Sequence, residues 1–213
     1  MDQTFRDIAC DLVAISRSFY ARGWALGTSG NFSAVLSREP LRLAITPSGA
    51  DKGELAAEQI VETGWGMDDA DNLKGKPSAE ALLHINVVLE RGAGAVLHTH
   101  SVWSTIVSNI HLPAGGIMIE GFEMLKGLEG VKSHEHREWL PIIENSQDMP
   151  VLAQNVSWIL KEYPDTHGFS LETARTLHVG CKSCSGETAC RDFRISAGDG
   201  GSATLDEAQC LRY

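Results

Sequence analysis

Two histidines separated by one residue are the clearest indication of chemistry in this sequence. His98 and His100 flank Thr99 at the end of the apolar run at residues 94–97. Because alternate side chains of a strand point to the same face, both imidazoles can reach one ion while Thr99 faces away. A catalytic zinc site usually takes three protein ligands. An H-x-H pair can be ordinary surface chemistry, but the apolar strand before it favours a metal site whose third ligand lies elsewhere.

Glu123 is the first candidate for moving a proton at such a site. A carboxylate close to zinc can take a proton from, or return it to, a substrate whose carbonyl the metal polarises. The alternative is a solvated helix residue paired with nearby Lys126. Glu80 is a second acidic candidate, and its alternative is a stabilising position in the first turn of a helix. Sequence alone leaves both alternatives open.

Three small-residue segments have the composition of anion-binding loops. Residues 27–31 and 46–49 offer backbone N–H groups and hydroxyls, and Ser78 is expected at a helix N-terminus, where phosphate is favoured. Gly, Ser and Pro also simply make turns, so each segment alone is weak. Together, beside a metal pair, they favour a phosphorylated substrate.

Alternating helices and strands must position these groups. Apolar spacing predicts helices over residues 5–21 and 77–89, the second with Ser78 as its N-cap. Residues 31–36 and 41–46 are predicted to form a hairpin. The remaining predictions are strands at 93–100 and 140–143 and helical segments at 101–108, 122–128 and 149–163. The fold class is α/β or α+β, without internal repeats.

Composition limits the classes of partner. The chain has 213 residues, of which 43% are hydrophobic, so one domain spanning residues 1–213 is expected. The net charge of −10 argues against a nucleic-acid partner, because phosphate neutralisation needs clustered Lys and Arg. No apolar run approaches the roughly 20 residues that cross a bilayer, and the N-terminal residues do not form a signal peptide. A cytoplasmic protein without a membrane partner is therefore expected.

The motifs in their order resemble a known superfamily. T-S-G-N-F-S, T-P-S-G, K-P-S-A-E, H-T-H and E-M-L-K-G are similar to the class II aldolases and epimerases over about residues 5–169. The block at residues 134–149, H-E-H-R-E-W-L-P-I-I-E-N-S-Q-D-M, narrows the resemblance to the bacterial methylthioribulose-1-phosphate dehydratases of methionine salvage.

The resemblance implies a three-layer α-β-α fold around a central, largely antiparallel sheet, a homotetramer, and one Zn²⁺ per subunit held by three histidines. It implies that His98 and His100 are zinc ligands and that Glu123 is the acid/base. The residues that resemble the phosphate-binding positions are Gly30, Asn31, Ser48, Gly49 and Ser78. The implied reaction removes the C3 proton and C4 hydroxyl of 5-methylthioribulose 1-phosphate and gives 2,3-diketo-5-methylthiopentyl 1-phosphate.

The C-terminal tail departs from the family. The third zinc-binding histidine is expected in an H-G-L-Y-x-W motif soon after residue 169, but residues 170–180 read S-L-E-T-A-R-T-L-H-V-G. Codons permitted for these residues, read one nucleotide later, encode L-L-R-R-H-G-L-Y-T-W-G. The same shift over residues 186–199 permits an amphipathic helix. We therefore interpret residues 170–213 as an aberrant, frameshifted tail.

Other interpretations of the tail and of the function remain open at this level. His178, Cys181, Cys184 and Cys190 have the spacing of a zinc knuckle, although the shifted frame explains the same residues without a function. A related phosphosugar aldolase or epimerase would share the zinc pair but not the block at 134–149. A non-enzymatic interaction protein, or an inactive variant that lacks the third zinc ligand, is the remaining hypothesis.

Overall fold

A mixed sheet of eight strands organises the part of the chain that the structure describes. The computed structural model describes residues 3–66 and 76–172 and the backbone of residues 175–179. The helices are α1 Gln3–Ala21, α2 Ala81–Arg91, α3 Val102–His111 and α4 Met149–Glu162. The strands are β1 Asn31–Arg38, β2 Leu41–Ile45, β3 Val61–Gly64, β4 Ala95–Thr99, β5 Gly116–Glu120, β6 Arg137–Ile143, β7 Gly168–Leu171 and β8 Arg175–Val179.

The strands lie in the order β3-β2-β1-β4-β8-β7-β6-β5. All neighbouring pairs are antiparallel except β6 and β7, which are parallel. Following these directions across the sheet, β4 and β6 point the same way, and β5 points the opposite way. The prediction of a largely antiparallel central sheet is confirmed.

Alternation along the central strands assigns the helices to two layers. Phe32 and Ala34 of β1 pack in the apolar cluster that contains α1, whereas Val35 packs with the cluster that contains α2 and α4. Because successive strand residues point to opposite faces, one strand contributes to both cores. The sheet therefore lies between two helical layers, as the family resemblance implies.

Several predicted boundaries need correction. The first helix, the hairpin and α4 are confirmed, but α2 begins at Ala81, so that Glu80 and not Ser78 occupies its N-cap position. The Ser78 hydroxyl instead accepts a hydrogen bond from the backbone N–H of Glu80 at 3.4 Å. The predicted helix at 122–128 is a 3-10 helix over Glu123–Gly127.

Strands β3, β5, β7 and β8 were not predicted. Each has four or five residues, which is too short for a clear alternating pattern. β7, for example, is buried along its whole length and so shows no polar face. No helix among the described residues is long and apolar enough to cross a membrane.

Candidate metal and phosphate site

The two histidines of the H-x-H motif lie at the C-terminal end of β4. His98 is fully buried and His100 is partly exposed. Their rings stack with centroids 4.7 Å apart and an interplanar angle of 22°. The N–H of His100 donates to the carbonyl oxygen of Trp24 at 2.6 Å, which fixes the backbone just beyond the strand. The two imidazoles therefore lie side by side, as their spacing on a strand requires.

Glu80 meets His98 in the interior. Its Oε2 lies 2.7 Å from Nδ1 of His98, and both side chains are buried. Nδ1 is thus in contact with a carboxylate, whereas Nε2 of His98 is buried without a hydrogen-bond partner among the described residues. A buried polar atom without a partner is costly unless a ligand satisfies it. Two imidazoles and a carboxylate are a donor set suited to zinc, so the chemistry of His98, His100 and Glu80 suits the metal that the family implies, and donor atoms of His98 and Glu80 are in direct contact.

A chain of buried polar side chains holds Glu80 in place. The amide of Asn31 donates to Oε2 of Glu80 at 2.7 Å, and the carbonyl oxygen of the same amide faces Nε2 of His84. Because an amide oxygen can only accept, Nε2 of His84 carries the proton. Its Nδ1 then accepts from the hydroxyl of Ser33 at 2.7 Å. These hydrogen bonds connect β1 and α2 with Glu80, which contacts the metal-type donor His98 of β4.

Burial keeps His84 neutral. Loss of solvation and, to a smaller extent, the nearby His98 lower the pKa of His84 from 6.5 to about 3, although Glu80 acts to raise it. A neutral ring can both donate to Asn31 and accept from Ser33, whereas a protonated ring could only donate. The single tautomer thus fixes the direction of every hydrogen bond from Ser33 to Glu80.

The predicted phosphate-binding residues lie at the same end of the sheet. Asn31 pairs directly with His98 across β1 and β4. Gly30, just before it, has φ +72°, and a Cβ there would lie 2.6 Å from the carbonyl oxygen of His98. An isolated bridge between Pro47 and Pro77 brings the loop of Ser48 and Gly49 beside Ser78. The backbone N–H of Ser48 donates to the carbonyl of Lys76 at 3.0 Å, so it serves the loop itself.

Lys52 is a functional candidate that sequence reasoning missed. Its side chain is buried, and Nζ donates to the carbonyls of Thr28 at 3.1 Å and Ala50 at 2.9 Å. Its own N–H donates to Gly27 at 2.7 Å. Loss of solvation lowers the pKa of Lys52, partly offset by Asp51. The hydrogen bonds of Lys52 therefore connect the loop at residues 27–31 with Ala50, the residue that follows the loop at residues 46–49. A lysine in a loop sequence carries no signal of such burial.

Glu123 lies far from the histidine pair within one chain. It follows β5, which is four strands from β4, a lateral distance of about 19 Å at normal strand spacing. The C-terminal end of β5 also lies at the opposite end of the sheet from His98. Its exposed carboxylate pairs with Lys126 and with Nδ1 of His134 at 3.2 Å. The hydrogen bond from Lys126 is the main cause that lowers the pKa of Glu123.

Of the tail, the structure describes residues 170–172 and the backbone of β8, which pairs with β4 beside His98. His98 pairs with Leu177, and His178 pairs with Leu97. The structure describes only the backbone of residues 175–179, so His178 is placed by its register alone. The ligand that the shifted frame would supply is at position 174, which lies outside the described residues, as do the zinc-knuckle cysteines Cys181, Cys184 and Cys190.

A sequence model of the class II aldolase and adducin N-terminal domain matches residues 10–173. The chain belongs to this family. Class II aldolases use a divalent metal, which agrees with the donor set around His98. The match ends close to the residue at which the motifs cease to resemble the family.

Curated relatives point to one named enzyme. The chain is 40% identical over 166 residues to the methylthioribulose-1-phosphate dehydratase of Alcanivorax borkumensis, covering 78% of this chain and 76% of that protein. It is 39% identical over 170 residues to the dehydratase of the same name from Pseudomonas fluorescens, covering 79% and 80%.

Solved structures support the fold. YgbL of Escherichia coli superposes with a TM-score of 0.67 at 24% identity, covering 90% of this chain and 85% of that one. The L-fuculose-1-phosphate aldolase of Thermus thermophilus gives 0.65 at 21% identity, covering 86% and 85%.

The close approach of Gly30 to His98 leads to a test. Gly30→Ala places a methyl group against a backbone oxygen, so we expect β1 to shift and zinc affinity to fall roughly 10-fold or more. Gly27→Ala is the matched control, because Gly27 also has a positive φ of +56° but open space around it. Zinc affinity would be measured by competition with a chromophoric chelator. Equal affinities of the two variants would contradict the geometry.

The neutral state of His84 predicts a pH effect. Its pKa is about 3 in the folded chain and 6.5 in the unfolded one, so the unfolded state binds the extra proton as the pH falls from 6.5 towards 3. Stability is therefore lost in that window, with a slope of at most about 1.4 kcal/mol per pH unit from this group.

His84→Gln removes the titrating group. We expect the stability difference between wild type and this variant to shrink from pH 7 to pH 4, measured by urea unfolding at each pH. His111→Gln, at the end of α3, is the control for a general histidine effect. A difference that stays constant with pH would show that His84 titrates normally.

Proposed function

We propose that the chain is a zinc-dependent dehydratase that converts 5-methylthioribulose 1-phosphate to 2,3-diketo-5-methylthiopentyl 1-phosphate in methionine salvage. The observation that carries the proposal is the 40% identity to a dehydratase of this name over 166 residues, and the family match at residues 10–173 contains His98, His100 and Glu80. An aldolase relationship would explain the fold, but it would not explain the block at residues 134–149.

His98 and His100 are proposed as zinc ligands beside Glu80. Zinc held there would act as a Lewis acid towards the substrate oxygens. The protein's own contribution is the positioning of these donors, since Asn31 and His84 restrain Glu80, and Glu80 contacts His98. Rigid support of metal ligands by neighbouring hydrogen bonds is a general requirement of such sites.

The substrate phosphate is proposed to bind at the loops around Gly30, Asn31, Ser48, Gly49 and Ser78. Gly49 has φ +72° and open space where a side chain would be, so an anion can approach its backbone. The buried ammonium of Lys52 adds positive charge behind both loops. Backbone N–H groups and a nearby cation are the usual elements of phosphate recognition.

Glu123 is proposed to act on the substrate of a neighbouring subunit. The distance across the sheet prevents it from reaching His98 of its own chain. Its edge of the sheet exposes two large apolar side chains, Met118 and Phe122, as an assembly surface would. In a homotetramer, Glu123 would then accept the C3 proton while the C4 hydroxyl leaves as water.

We propose in addition that the sequence from about residue 170 results from a frameshift. The family match ends at residue 173, and the shifted frame would place a histidine at position 174. The register of β4 and β8 pairs Thr99 with position 176, so β8 passes the end of β4 that leads to His100. A histidine supplied two residues before position 176 in the sequence is proposed as the third ligand.

Two proteins test the proposal directly. One is the chain as given, and the other carries the shifted frame from residue 170. We expect the shifted protein to release water and form the diketone at least about 100-fold faster, because removal of a metal ligand weakens metal binding by roughly this amount or more. Carbon–carbon cleavage would be assayed in parallel. Cleavage without diketone formation by the shifted protein would overturn the dehydratase proposal, and equal rates would overturn the frameshift.

The role of Glu123 has its own test in the shifted protein. Glu123→Gln should lower kcat by about 100-fold or more with little change in KM, because general acid/base catalysis contributes that much. Glu135→Gln, in the loop before β6, is the matched control. Zinc content and oligomeric state should be unchanged in both.

Subunit mixing distinguishes action within a chain from action between chains. Glu123→Gln and His98→Ala subunits, each inactive alone, should regain part of the activity when they are unfolded and reassembled together. Failure of mixed assemblies to regain activity would exclude the placement of Glu123 in a neighbour's site.

A further inference from the structure

A second group of metal-type donors lies at the start of β6. Glu138 is 2% exposed, and its Oε2 faces Nε2 of His136 at 2.8 Å and Nδ1 of His167 at 3.0 Å. The three donor atoms all lie within 4.8 Å of one another. A carboxylate with two imidazoles is a common ligand set for zinc and similar divalent ions.

The second carboxylate oxygen of Glu138 and Nε2 of His167 form hydrogen bonds with groups outside the three facing donor atoms. Oε1 of Glu138 accepts the backbone N–H of His167 at 2.8 Å. Nε2 of His167 lies 2.8 Å from the carbonyl oxygen of Glu129 and must donate its proton there. Each side chain thus has one end fixed and its other donor atom directed at a shared centre.

This arrangement has an electrostatic consequence. With Nε2 of His167 donating to a carbonyl, a proton on Nδ1 satisfies the contact with the carboxylate oxygen 3.0 Å away, and a metal ion bound here would replace that proton. Two acceptors at that distance repel unless a proton or a cation lies between them. A backbone carbonyl that orients a histidine is also a typical support of a metal ligand.

We propose that His136, Glu138 and His167 bind a divalent transition metal ion of the zinc class, in a site separate from His98 and His100. β6 is three strands from β4, about 14 Å at normal strand spacing. Because β4 and β6 point the same way, the start of β6 and the end of β4 lie at opposite ends of the sheet. The two donor sets therefore cannot share one ion.

The proposed ion would join three segments of the chain. His136 ends the loop that follows the 3-10 helix, Glu138 belongs to β6, and His167 lies in the turn before β7. The same loop carries His134, which contacts Glu123. The site would restrain this loop whether or not the chain is a dehydratase, so the inference goes beyond the proposed function.

Zinc stoichiometry of the chain as given provides the test. After removal of metal with a chelator, zinc would be titrated against a chromophoric competitor. We expect the double variant His98→Ala/His100→Ala to retain one tightly bound zinc ion per chain. Adding His136→Gln to it should weaken that binding by roughly 100-fold. His134→Gln, an exposed histidine of the same loop, should leave it unchanged.

Two further measurements keep the test independent of folding. His136 is only partly buried, so circular dichroism of His136→Gln should match wild type even if Glu138→Gln unfolds. Zinc should raise the melting temperature of the His98→Ala/His100→Ala variant but not of the same variant with His136→Gln. The proposal is overturned if the double variant binds no zinc, or if His136→Gln leaves both affinity and melting temperature unaltered.

Discussion

The candidate site depends on how a charged carboxylate and a histidine are accommodated together in the interior. Glu80 and His98 are both buried and in contact. Hydrogen bonds that extend through Asn31 and His84 to Ser33 hold Glu80 in place. The members of this hydrogen-bonded network come from β1, from α2 with its N-cap, and from β4, so the strand order, the start of α2 and the tautomer of His84 must all agree. Buried polar networks of this kind require complete satisfaction, and they make a fold specific. In this protein the network fixes the positions of side chains at the C-terminal end of β4.

Sequence predicted the parts of this arrangement that follow from local periodicity. The hairpin, α1 and α4 and the shared face of His98 and His100 result from spacing within one segment. The remainder depends on pairing between distant segments. Asn31 and Glu80 are 49 residues apart, and the burial of Lys52 arises only when two loops meet above it. Ser78 failed as an N-cap because the Pro47 and Pro77 bridge holds it outside the helix.

The two histidine clusters follow different designs. In the first cluster, Nδ1 of His98 contacts Glu80 while Nε2 has no partner among the described residues, and Asn31 restrains Glu80. In the second cluster, one oxygen of Glu138 faces the imidazoles of His136 and His167. Its other oxygen accepts a backbone N–H. The first motif is readable from H-x-H in one strand. The second combines H-x-E in one segment with a histidine 29 residues later, and neither spacing is distinctive alone.

Strand β8 lies between β4 and β7, in the middle of the sheet. Its membership rests on main-chain pairing with both neighbours, and main-chain groups are the same in every reading frame. A change of frame at that point can therefore leave the architecture intact while it replaces the chemistry. A gene altered in this way would encode a protein that is recognised by its shape but has lost a ligand. Selection for solubility and selection for catalysis would then act on different stretches of the same chain.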